Sequence, residues 1–328
     1  MADLSTTFMG LKLTSPVIVG ASPFSRKTDN IKRAEDLGAG ALVIHSLFQE
    51  QIELERAELD EALSIGAETF AESLTYFPHM EHAGAREHVM WVEQARKRVK
   101  FPLIGSLNAS WMGEWVAYSK QLEDAGCDAL ELNLYSVETD PSQACHYIEE
   151  RAVEIVSTIK SLVTIPISVK LSPFYTSTAN FVSRVVDAGA VAVVLFNRFY
   201  QPYIDPDKEK LDLNLDLSRS EDARLPLRWI ALLSDQIKAD FVASTGVHTG
   251  ADVVRQLLAG AKAAQCVSTL YINGLEHISQ MNREIGDWMD SKGYRGIDDF
   301  RGKLGKRAIE GDPRAFERAQ YVRAILHR

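Results

Sequence analysis

Short, continuous apolar runs recur along this chain. They are Pro16-Val-Ile-Val-Gly-Ala-Ser22, Ala41-Leu-Val-Ile-His45, Pro102-Leu-Ile-Gly-Ser106, Ala129-Leu-Glu-Leu-Asn133, Ile167-Ser-Val-Lys170, Val191-Ala-Val-Val-Leu-Phe196, Phe241-Val-Ala-Ser244 and Ala264-Gln-Cys-Val267. Their length and bounding turn residues fit eight buried strands. Between them lie segments such as Trp115–Ala125, Glu149–Leu162, Thr178–Ala188, Leu227–Ile237 and Ala251–Ala259, where apolar residues recur every three or four positions. That period predicts amphipathic helices.

The helices share a stop signal. Leu37-Gly-Ala-Gly-Ala, Asp124-Ala-Gly-Cys-Asp, Asp187-Ala-Gly-Ala-Val and Leu258-Ala-Gly-Ala-Lys each place glycine just past a helix, where a left-handed cap turns the chain into the next strand. Eight strand–helix units stopped this way predict an α/β fold, a closed (β/α)8 TIM barrel, rather than a doubly wound sheet. Longer excursions at Ser46–Lys100, Leu134–Glu149 and Asn197–Pro226 all follow strands, on the side where barrels assemble their sites. The last is acidic and polar, and reads as a rim or lid.

Gly10 inside Phe8-Met-Gly-Leu-Lys-Leu13 predicts a short N-terminal hairpin that closes the barrel. At the other end, Glu276–Met289 reads as the closing helix. Asp312-Pro313 opens a terminal helix with Phe316, Ala319, Val322 and Leu326 on one side, a face for the barrel or for a second subunit. The expected organisation is one domain over residues 1–328, with the hairpin in 1–15 and a helical tail in 294–328.

Composition narrows the partners. A net charge of −9, with no long Lys/Arg block, speaks against nucleic acid or an anionic membrane surface and for a small molecule. No segment has the roughly 18 apolar residues of a spanning helix and the first residues lack a signal pattern, so a cytoplasmic protein is expected. The three cysteines lack metal or iron–sulfur spacing, and Cys127 and Cys266 read as buried core thiols.

In a barrel the strand ends converge on one mouth, which here gathers Ala21/Ser22, His45/Ser46, Ser106/Asn108, Asn133/Ser136, Lys170, Asn197, Ser244–Gly246 and Ser268/Thr269. A lysine ending an apolar strand needs an anionic or electron-rich partner, either a ligand or a structural carboxylate. Ser244-Thr-Gly-Val-His-Thr-Gly250 running into a helix, with Ser268-Thr269 after the eighth strand, offers backbone N–H groups and hydroxyls for a phosphate.

These residues, in this order, resemble the dihydroorotate dehydrogenase family of flavin-dependent barrels. The likeness runs through Thr7-Phe-Met-Gly-Leu-Lys-Leu, Pro16-Val-Ile-Val-Gly-Ala-Ser, Glu131-Leu-Asn-Leu, Val169-Lys170-Leu, Thr245-Gly-Val-His-Thr-Gly-Ala-Asp252 and Gly293-Tyr-Arg-Gly-Ile-Asp-Asp-Phe. The resemblance implies FMN, with Ala21 and Ser22 near the ring, Asn133 and Lys170 at its polar edge, and Asn197, His45 and Ser46 around it. Thr245, Gly246, Ser268 and Thr269 would hold the phosphate. It implies hydride transfer from a dihydropyrimidine, dihydroorotate in the family's pyrimidine biosynthesis, to flavin N5, with Ser136 as base. Lys170 would stabilise the reduced ring. It implies a homodimer too.

The substrate half departs from that pattern. Asn133-Leu-Tyr-Ser-Val-Glu138 stands where the family has Asn-Leu-Ser-Cys-Pro-Asn, His45 replaces a lysine, and the acid Glu72 lies near a substrate asparagine position. Glu72, Asn133, Glu138 and Asn197 are the candidate substrate residues, and a carboxylate there would repel an anionic substrate. His45 reads as an electrostatic partner or as a structural histidine. No dinucleotide glycine fingerprint is present, so a soluble acceptor or a partner redox subunit is expected. A flavin protein with another substrate, an electron-carrying subunit, and a barrel lyase or isomerase that binds a phosphorylated metabolite remain open.

Overall fold

The computed structural model describes residues 2–46, 83–108, 114–134, 137–199, 201–212, 216–306 and 325–326. In chain order the strands are β1 (Thr6–Phe8), β2 (Leu11–Leu13), β3 (Val17–Val19), β4 (Ala41–Val43), β5 (Leu103–Asn108), β6 (Ala129–Leu134), β7 (Ile167–Leu171), β8 (Ala192–Leu195), β9 (Tyr203–Asp205), β10 (Lys210–Asp212), β11 (Asp240–Ala243) and β12 (Ala263–Cys266). Eight of them, β3 to β8 with β11 and β12, pair in parallel and close into a barrel when β12 returns to β3. Every one of the eight apolar runs supplies a barrel strand, and helices lie between the strands, as the (β/α)8 expectation requires.

The repeated glycine stop does what its position predicts. Gly38, Gly126, Gly189 and Gly260 all adopt positive φ, between +88° and +118°, where a side chain would be strained. The helix Thr178–Asp187 shows the inner face this arrangement buries, with Phe181, Val182 and Val185 fully covered.

Two apolar clusters follow from the alternation of side chains along each strand. One lies between strands and helices and contains Val17, Leu42, Leu103, Leu130, Val169 and their neighbours. The other fills the lumen with Ile18, Ala41, Val43, Ile104, Ala129, Ala192, Val194, Val242 and Ala263. Phe8, Met9 and Leu13 from the β1–β2 hairpin belong to this lumen cluster and are 0–5% exposed. The hairpin is fixed at the amino-terminal end of the strands, where Met9 N donates to Asp240 Oδ2 at 2.8 Å and Thr6 Oγ1 to Lys262 O at 3.2 Å. It plugs the bottom, and each large side chain it buries stabilises the closure by about 1.5–3 kcal/mol.

The excursion after β8 holds a second hairpin, β9–β10, whose Tyr203, Ile204 and Leu211 are exposed. This hairpin belongs to the excursion expected as a rim or lid, and it follows the carboxyl end of β8. From the excursion after β4 the described part is the helix Ala83–Arg98. The expected terminal helix beginning at Asp312-Pro313 lies outside the described residues. Among the described residues no helix is long and apolar enough to cross a membrane. Cys127 and Cys266 are buried, and burial pushes both thiols up to about 12, while Cys145 is exposed.

Candidate active site at the barrel mouth

Strand parity decides which side chains reach the lumen. On β6 the leucines 130, 132 and 134 pack under the helices and Ala129 packs inside, so Glu131 and Asn133 face inward with Ala129. On β7 Ile167, Val169 and Leu171 face outward, which turns Ser168 and Lys170 inward. On β12 Ala264 and Cys266 face outward and Ala263 inward, so Gln265 joins the lumen set. Asn133 and Lys170 are register partners in the upper layer, and Glu131 lies one layer below.

Lys170 has the electron-rich partners that its position demands. Its Nζ donates to Gln265 Oε1 at 3.0 Å and stands 3.5 Å from Glu131 Oε1. Gln265 Nε2 in turn donates to Glu131 Oε2. The structural-carboxylate reading of Lys170 therefore has its partner in Glu131, through one hydrogen bond to Gln265 and a looser charge contact. Beside it, Asn197 Nδ2 donates to Asn133 Oδ1 at 3.1 Å, tying the end of β6 to the segment after β8.

Of the other substrate-side candidates, Glu138 forms an ion pair with Arg151 on the helix Cys145–Leu162. The carboxylate that would repel an anionic ligand is thus already neutralised. Ser136, the expected base, and Glu72 lie outside the described residues.

At the opposite side of the mouth, Thr245 and Gly246 both adopt φ +77°. Thr245 Oγ1 donates to Phe196 O at 3.0 Å, which holds this turn. A side chain at Gly246 would come within 2.3 Å of Ala223 N, so glycine lets the segment Arg219–Ala223 pack directly behind the turn. Gly246 N donates to Ser218 Oγ at 3.2 Å, and Ser218 N and Oγ both donate to Ser268 Oγ, at 3.0 and 2.9 Å. Hydroxyls and backbone donors of Gly246, Ser218 and Ser268 therefore converge here. Thr269 is fully buried and spends its hydroxyl on His248 O.

The helix after this turn does not offer its own N-terminus. Asp252 accepts from the N–H groups of His248 and Thr249, and Glu284 accepts from Gly250 N at 2.7 Å. Two carboxylates already occupy the positive end of the helix Gly250–Ala259. An anion at this side would have to exchange with the mutual hydrogen bonds of Gly246, Ser218 and Ser268 instead.

At the ends of β3 and β4 the polar groups are neutral. Ser22 Oγ is buried and has no hydrogen-bond partner among the described residues, beside the half-buried Ala21. Ser46 Oγ and Ser106 Oγ share a hydrogen bond at 2.6 Å. Ser25 Oγ gives its single proton to Ser22 O at 2.9 Å and accepts from His45 N at 2.8 Å. The same oxygen lies 3.3 Å from His45 Nδ1. His88 Nε2 must donate to His45 O at 3.2 Å, so its Nδ1 accepts from the Tyr118 hydroxyl. Burial lowers His45 to about 3 and His88 to about 4, with help from the charge of Arg26, so both rings are neutral.

Taken together, the residues fit a flavin nucleotide. An orphaned hydroxyl at Ser22, the Lys170 ammonium, paired amides at Asn133 and Asn197, and the polar groups of Gly246, Ser218 and Ser268 all stand at or just beyond the carboxyl ends of the strands. The strand-end pattern reaches most of them, but it stops short of Glu131 and Gln265, which lie below the mouth. Their signal was chemical: a Glu and a Gln inside apolar runs must find polar partners when buried. Ser218 had no signal, because it lies in an irregular excursion.

The chain matches the model of the family described as dihydroorotate dehydrogenase over residues 79–289. It is 26% identical to the Thermoplasma volcanium protein named dihydroorotate dehydrogenase B (NAD(+)), catalytic subunit, across 94% of this chain and 100% of that one. The protein of the same name from Thermoplasma acidophilum is 25% identical across 92% of this chain and 99% of its own. A chloroplastic dihydropyrimidine dehydrogenase (NADP(+)) of Arabidopsis thaliana is 23% identical across 92% of this chain and 76% of its own.

Proposed function

The chain belongs to the dihydroorotate dehydrogenase family, and on that premise we propose that it is an FMN-dependent oxidoreductase acting on a CH–CH bond of a dihydropyrimidine-like ring. Bound FMN would supply the acceptor for a hydride at N5. The chain's own part is to hold, orient and exchange a proton. Ser22 and Lys170 hold the ring, Asn133 and Asn197 orient the substrate against it, and Gly246, Ser218 and Ser268 anchor the phosphate. Ser136 is the proton acceptor in this reading, and as a serine it needs a neighbouring acceptor or water to pass the proton on. Lys170, a cation tied into the mouth at the family's position, is the observation that carries the proposal.

A second substrate is favoured by a separate observation. His45 stands where the resemblance expects a cationic lysine, and burial keeps its ring neutral. Such a group suits an N–H of a neutral ring better than the carboxylate of dihydroorotate. The relatives named as catalytic subunits support a partner redox subunit as the electron acceptor.

An anaerobic absorbance titration tests the reading. A yellow protein bleached by dihydroorotate, with bleaching lost in Ser136→Ala, supports dihydroorotate oxidation. Bleaching by dihydrouracil alone supports the neutral-ring substrate. A protein that cannot be loaded with FMN sinks the proposal.

A further inference from the structure

A buried amide stands between a buried cation and a buried anion in this lumen, and its orientation is forced. Glu131 is 1% and Gln265 2% exposed. An ammonium offers only donors and a carboxylate only acceptors, so Gln265 must turn Oε1 to Lys170 and Nε2 to Glu131. The reversed amide would set donor against donor and acceptor against acceptor. No other uncharged side chain of this length satisfies both neighbours at once.

The direct contact between the charges is looser than the amide link. Lys170 Nζ is 3.5 Å from Glu131 Oε1, and that oxygen has no hydrogen-bond partner among the described residues. Attraction at low dielectric would draw the ammonium fully onto the carboxylate. The competing bond to Gln265, which reaches across the lumen from β12, holds it off. Lys170 thus keeps its height in the layer of Asn133, with its charge partly offset from below.

Building on the flavin reading, we infer that Glu131, acting through Gln265, is a positioning residue that sets the electron affinity of the bound flavin. The Lys170 ammonium favours the reduced ring, which carries more negative charge, and the carboxylate beneath opposes it. Removing the carboxylate's charge makes the flavin easier to reduce. Removing the amide lets the ammonium sink onto Glu131 and makes the flavin harder to reduce. A merely structural role has no reason to move the potential in opposite directions.

The midpoint potential of the FMN-loaded protein, measured by reductive titration against a reference dye, reads this directly. Glu131→Gln keeps the shape and the acceptor oxygen while removing the charge, and should favour reduced flavin about tenfold, ~30 mV upward for a two-electron couple. Gln265→Met should shift the potential downward. Unchanged potentials, or shifts of the same sign in both variants, overturn the inference and leave the flavin reading standing. A wild-type protein that takes up no free FMN overturns both. Should Glu131→Gln not fold, Gln265→Met alone decides, and an unchanged or raised potential counts against the inference.

Discussion

Along β6 and β7 the upper inward side chains include charged groups tied across the lumen, whereas at the end of β4 the inward group is a neutral ring tied sideways to the helices. Lys170, Gln265 and Glu131 join three strands of the barrel. His45 is held by Ser25 and by His88, which the helix Ala83–Arg98 carries, and His88 leans on Tyr118 of the helix Glu114–Asp124. The first arrangement fixes a charge where the proposed flavin would need one. The second presents a neutral ring where the family resemblance predicts a cation. The two sides of the mouth therefore differ in charge and in what ties them down, one across the lumen and the other to the helices.

The largest effect that separates the two sides should come from Lys170→Met. It would strand Glu131 as an unpaired buried carboxylate, and breaking such a pair costs about 3–5 kcal/mol. Urea unfolding at neutral pH should show that loss. The double variant Lys170→Met with Glu131→Leu should recover most of it, because a well-packed apolar pair replaces a buried ion pair at little cost. A single variant as stable as wild type would mean that the lumen charges are not coupled. No comparable effect is expected from a single change at His45, whose ring is neutral and partly exposed.

The same contrast explains what was legible in the sequence. The barrel was readable because eight apolar runs and four glycine stops repeat with one meaning, and the strand ends already assign Asn133 and Lys170, which share one inward parity, to the mouth. Glu131 and Gln265 share that parity yet lie a layer lower, where a strand-end rule does not look. The histidine network was harder, since His88 and Tyr118 sit on separate helices and only three-dimensional packing joins them to His45. Ser218 and the capping of the helix Gly250–Ala259 by Asp252 and Glu284 depend on loop and interhelix contacts that no local pattern encodes.

A smaller effect distinguishes the neutral side by pH. His88 titrates near 4 in the folded protein and near 6.5 when unfolded, so the unfolded chain binds the proton first. Its contribution to stability is complete above about pH 6.5 and is lost as the pH falls towards about 4, with a slope of at most about 1.4 kcal/mol per pH unit. His88→Gln removes the titration while keeping a donor and an acceptor. Urea midpoints followed from neutral to acid pH should fall less steeply in the variant. Parallel slopes would mean that the ring is charged normally and that the β4 side is not the neutral environment described.

The smallest effect should come from Ser218→Ala, at the third corner of the mouth. Its hydroxyl accepts from Gly246 N and donates to Ser268 Oγ, so it couples the two segments proposed to hold the phosphate. Removing it frees Gly246 N and Ser268 Oγ for the ligand but loosens their spacing. A net hydrogen bond is worth about 1 kcal/mol, so FMN should bind about fivefold more weakly. The flavin potential should stay unchanged, because this corner lies away from the Lys170 charge. Fluorescence titration of the apoprotein with FMN separates the outcomes. A potential that moved with Ser218 would show that the phosphate corner and the lumen charges act as one unit, and would dissolve the division of the mouth into a charged and a neutral side.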